Sequence, residues 1–174
     1  MRRKRNQLIL TLSLTGLLFY FLQTTLINPF LSIGPNMPDL LLILTVFVGI
    51  RLGQIAGPVF GFTAGLMQDA LIDFYGLNAL CKTVTGFTVK YFGTEKVLLV
   101  EKYYFPLVVF FSSIIHALLF YGFQSLDPSL NFYSLFIDHG LPNSIYSALA
   151  AFVLRIATPE RFLNFINFDA KHEY

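Results

Sequence analysis

Asp69, Asp73, Asn78 and Lys82 lie within one short stretch, and Ser112, Ser113 and His116 follow on a later apolar segment. A carboxylate and an ammonium at that separation can form a structural ion pair. With Asn78 they can instead line a polar cluster open to one face, able to hold a small solute or a partner's polar segment. Serine beside histidine raises nucleophilic catalysis, but there is no nucleophile elbow and no second histidine at useful spacing. His116, His139 and His172 are far apart and Cys81 is alone, so no pair has metal-ligand spacing. A phosphate-binding Gly-Lys loop is missing as well. These residues predict no enzyme, no cofactor, no metal and no nucleic-acid partner.

The elements that must position these residues are set by composition. Of 174 residues, 55% are hydrophobic and 13% charged, with 20 phenylalanines, a balance that suits lipid as the solvent. A crossing takes roughly 20 residues, which leaves room for an all-α integral membrane protein with a single polytopic domain over 1–174. The apolar runs predict six transmembrane helices at 8–27, 37–51, 57–73, 77–92, 103–123 and 141–157, with a short interfacial segment at 129–138. The first run is too long for a signal-peptide core and lacks a small-residue cleavage pattern, so it reads as a retained helix. Asn36-Met37-Pro38-Asp39 reads as a helix start with Asn36 as cap. Pro106 is expected near the start of its helix, where a missing amide costs little.

The sharpest local pattern is Gly53, Gly57, Gly61 and Gly65 at four-residue spacing, continued at the same interval by Asp69 and Asp73. Each such step turns a helix by about 400°, so the glycines form a slowly drifting stripe that admits another helix backbone at close range. That helix is either one of the chain's own or the transmembrane helix of a partner seated on Gly57, Gly61 and Gly65. Pro58 disfavours helical geometry at Gly57 and suggests a helix start at Pro58. A buried carboxylate at Asp69 needs a partner, and Lys82 across the hairpin is the expected one.

Six crossings from a cytoplasmic N-terminus place Arg2, Arg3, Lys4, Arg5, Arg51, Lys90, Lys96, Lys102, Arg155, Arg161 and Lys171 at one face, leaving only Lys82 elsewhere. Asp73, Asp127 and Asp138 fall at the other face. Under the positive-inside tendency both termini are cytoplasmic. The basic start also meets anionic lipid of the bilayer surface.

Pro38-Asp39-Leu40-Leu41-Leu42, then Gly61-Phe62-Thr63-Ala64-Gly65-Leu66-Met67-Gln68-Asp69, then Gly76-Leu77-Asn78-Ala79-Leu80-Cys81-Lys82-Thr83 and Gly86-Phe87 occur in an order that resembles the bacterial rod shape-determining MreD family. The resemblance rests on about half the chain and brings no catalytic residues. It implies a scaffold in the bacterial inner membrane that binds MreC and works with MreB, RodA and a class B penicillin-binding transpeptidase in peptidoglycan synthesis and cell-shape maintenance. It also implies a six-helix bundle similar to the substrate-binding subunits of energy-coupling-factor vitamin transporters, which supplies an alternative function. Those subunits carry an Ala-xxx-Ala docking contact in the first helix, whereas this chain has no alanine before Ala56.

Overall fold

Asp39 opens the helix that the others surround. Its backbone is extended and its carboxylate accepts the Leu42 amide at 2.9 Å, the side-chain bond of an N-cap. The cap is therefore Asp39 and not Asn36, because Pro38 keeps the chain extended and the next three residues place Leu42 within reach of the carboxylate. Asn36 instead donates to the Asp138 carbonyl at 3.2 Å.

The computed structural model describes residues 2–27, 29, 32, 34–70, 76–92 and 101–158. Among the described residues six helices follow in order: α1 (Arg2–Leu22, passing into a π-helical turn, Gln23–Ile27), α2 (Leu40–Leu52), α3 (Ala56–Asp69), α4 (Leu77–Thr88, tightening to a 3₁₀ turn, Val89–Phe92), α5 (Glu101–Gln124) and α6 (Phe132–Ala157). Among the described residues there is no strand. The regular structure of the described residues is all helical, as the sequence predicts. Tyr103–Gln124 and Phe132–Ala157 are long and apolar enough to cross a membrane, while Leu10–Thr25 and Leu40–Leu52 are shorter apolar helices.

Three expected boundaries move, each for a local reason. Residues 129–138 do not stand apart from the last helix: Asn131 caps a turn at Phe132–Leu135, which continues through a π-helical turn at Phe136–Gly140 into Leu141–Ala157. Pro142 has no amide to offer the Asp138 carbonyl. The wider turn absorbs the proline, and the freed carbonyl takes the Asn36 side chain. Helix α3 begins at Ala56, ahead of Pro58, with the Gly57 amide on the Gly53 carbonyl at 3.2 Å. Gly57 has no Cβ for the proline ring to strike, so it stays helical. Helix α5 starts at Glu101, which puts Pro106 inside it rather than at its first turn.

Helix α2 touches every other helix, and ten of its thirteen residues are buried. A helix apolar on all sides is a core helix. Around it, Leu40, Ile43 and Val46 pack with Val89, Phe105, Val108, Val109 and Ala151. Gly53 (φ 88°) and Gly76 (φ 94°) make the turns into α3 and α4, where a side chain would strain the backbone. At the α5–α6 connection the Ser129 amide and hydroxyl both bond Asp127 Oδ1, which holds that carboxyl below its ordinary range.

Candidate functional site

Helices α3 and α4 make the most extensive helix pairing, and it rests on glycine. A methyl group at Gly57 would fall 2.7 Å from the Gly86 carbonyl oxygen and 2.8 Å from Gly49 Cα. One at Gly61 would strike the Lys82 carbonyl, and one at Gly65 the backbone of Ala79. The surface of Gly57, Gly61 and Gly65 is therefore filled by the chain's own α4 and α2, the first of the two alternatives, and the reading of these glycines as a partner-helix contact is corrected. Gly49 and Gly86 complete the crossing. The small residues Ala79 and Gly86, seven positions apart on α4, are the sequence signal for that second surface.

This register decides which polar residues meet. With Gly61 against Lys82 and Gly65 against Ala79, the Lys82 backbone is level with Gly61, which lies eight residues before Asp69 on α3, about 12 Å along the hairpin. An Asp69–Lys82 pair is thereby ruled out, in correction of the expectation. Asp69, 1% exposed, accepts three backbone amides: Gly76 at 3.1 Å, Asn78 at 3.0 Å and Ala79 at 2.9 Å. These are amides at the start of α4, where the helix dipole is positive, so a buried carboxylate is held there without a cation. Asn78 is buried and contributes its backbone amide. Asp73 lies outside the described residues.

Lys82 is fully buried, and its ammonium pairs with Asp39. The same carboxylate that caps α2 also accepts Gln68 Nε2 at 3.2 Å, so Asp39 ties α2 to α3 and α4 at one point. Around it the amides of the α2 start, which have no intrahelical partner, are satisfied by side chains from other helices. Gln23 accepts Leu40 N–H at 3.1 Å, Ser147 accepts Asp39 N–H at 3.0 Å, and Asn143 accepts Met37 N–H at 2.9 Å. Sequence reasoning gave Asp39 only its place at a helix start and missed Gln23, Gln68, Asn143 and Ser147. Its signal was the lone lysine on the wrong side of the charge pattern, which needed a carboxylate at its own depth.

At the opposite end, Arg51 and Arg155 stand in the last turns of α2 and α6 and interact electrostatically. The Arg51 guanidinium lies 5.9 Å from the centroid of Phe47, and Lys90 donates to Gln54 at 2.7 Å.

The arrangement joins helices. Its carboxylates and ammonium are engaged by backbone amides, by each other and by neighbouring side chains. Comparison with curated proteins and with solved structures returned no match. The family model for the rod shape-determining protein MreD matches residues 2–165, a span that takes in all six helices, the Asp39–Lys82 pair and the Asp69 bracket. This chain belongs to the MreD family, whose members are membrane-associated proteins of rod shape determination.

Proposed function

We propose that the protein is a non-enzymatic, multi-pass scaffold of the bacterial inner membrane that binds MreC and, through it, serves MreB, RodA and a class B penicillin-binding transpeptidase during peptidoglycan synthesis. The observation that carries this reading is the family match through all six helices. The polar centre supports it, because Asp39, Lys82 and Asp69 are occupied in fixing helices against one another, the property a positioning subunit needs. Charge placement supports cytoplasmic termini: Arg51, Lys90 and Arg155 end α2, the turn after α4, and α6, while Asp39, Asp69 and Asp138 lie at the other ends. Helix α4 covers Gly57, Gly61 and Gly65, so in this reading MreC takes another face of the bundle.

The test is depletion in the native bacterium, following cell outline and sites of new wall growth in rich and vitamin-limited media. Rounding with dispersed wall growth in both media, together with co-purification of MreC, is the expected result. Unchanged shape with a growth defect only under vitamin limitation would overturn it in favour of a substrate-binding subunit of a vitamin transporter.

A further inference from the structure

Gln68 Oε1, Ser112 Oγ and His116 Nε2 are buried polar atoms with no hydrogen-bond partner among the described residues. Two of them belong to residues tied to the Asp39–Lys82 pair, and the third lies one turn from His116. Gln68 commits its amide nitrogen to Asp39 at 3.2 Å, which fixes the carbonyl oxygen as the end left to bond elsewhere. His116 interacts electrostatically with both Asp39 and Lys82, and its ring stacks on Phe120 with centroids 5.8 Å apart. Ser112 is 0% exposed and lies one turn before His116 on the same face of α5.

Buried polar groups are almost always hydrogen-bonded, to protein or to ordered water. The bare set here is one acceptor, one hydroxyl that donates and accepts, and one ring nitrogen that does either. The ligand that completes it is small, neutral, and able to donate to the Gln68 carbonyl while bonding a second group.

We infer that Gln68, Ser112 and His116, beside the Asp39–Lys82 pair, form a binding site for water within the helix bundle. Water there bonds α3 to α5, two helices that the Asp39 network does not join directly. It also hydrates the edge of the ion pair, which lowers the cost of holding both charges away from bulk solvent. This site is independent of the assembly the protein serves.

The experiment is radiolytic hydroxyl-radical footprinting of the full chain in lipid nanodiscs, with Phe105 of the apolar core as dry reference. His116 should be oxidised well above Phe105. Ser112→Val, which removes the hydroxyl at similar volume, should bring His116 down to the Phe105 level while the helix content and elution volume stay unchanged. Equal labelling of His116 and Phe105 in the parent protein would overturn the site, and that arm stands even where the variant fails to fold. Strong labelling of His116 that persists in a folded Ser112→Val protein would overturn it too, because the water would then not be held by these groups.

Discussion

Between α3 and α4 the two backbones meet with no side chain between them, at Gly57, Gly61 and Gly65 on one helix and Ala79, Lys82 and Gly86 on the other. On α5 and α6 the buried positions are carried mainly by side chains: Val108, Val109 and Ala117 on α5, and Ser144, Ser147 and Ala151 on α6. The helices differ in length in the same sense. Those of 13, 14 and 12 residues in α2–α4 rise about 20 Å, whereas the 24 of α5 and 26 of α6 rise about 36–39 Å. A short helix with little apolar length is not held at a fixed depth by its hydrophobicity. Backbone contact and buried polar bonds hold it instead. A long apolar helix needs neither, since its length and its side-chain packing already place it.

The largest effect that would sharpen this contrast is expected at Gly65. Gly65→Ala should destabilise by about 3 kcal/mol or more, because the neighbour that must move is the backbone of Ala79 and not a flexible side chain. Gly65→Leu should abolish folding. Thermal unfolding of the purified protein measures the first, and recovery of monodisperse protein the second. A Gly65→Ala protein as stable as its parent would mean that α3 and α4 do not meet through their backbones and that the two halves are built alike.

Next comes the ion pair. Lys82→Met leaves the Asp39 carboxylate without its cation and should destabilise by about 3–5 kcal/mol. Asp39→Asn keeps an oxygen for the α2 cap while removing the charge, so the double variant should recover part of the loss. A double-mutant cycle with no coupling would dissolve the polar half of the comparison. Asp69→Asn should then cost about 1.5–3 kcal/mol, since the amide group turns one acceptor of backbone N–H groups into a donor. Hydrogen exchange at Asn78 and Ala79 would report the loss where it arises.

The contrast also explains what the sequence could and could not disclose. Helix α5, and the existence of α2–α4 and α6, are legible because apolar runs and turn glycines are local signals. The π-helical entry to α6 was not legible, because it depends on Asn36 from a distant segment accepting the role of partner to the Asp138 carbonyl. The glycine stripe on α3 was visible at its four-residue spacing, yet the stripe alone could not say which helix would fill it. The register it imposes fixed the rest: one pairing depth put Lys82 opposite Gly61 and out of reach of Asp69, and left Asp39, across α2, as the carboxylate at the right height. In sequence Asp69 is a charge in need of a cation, whereas in the fold the start of the next helix supplies the compensation.

The smallest expected effect has the opposite sign and lies in the long-helix half. Gly122 sits in α5 with nothing within 4 Å of where a methyl group would be, and its φ is not positive. With open space and helical backbone, the methyl meets no neighbour, and the main consequence falls on the unfolded chain, which loses freedom that glycine alone has. Gly122→Ala should therefore stabilise by about 0.5–1 kcal/mol. Placed beside Gly65→Ala in the same unfolding assay, it asks whether glycine is a contact surface in one half and merely a flexible residue in the other. A Gly122→Ala protein that loses stability would show that α5 also meets a neighbour through its backbone, and the division between the two halves would have to be redrawn around that contact.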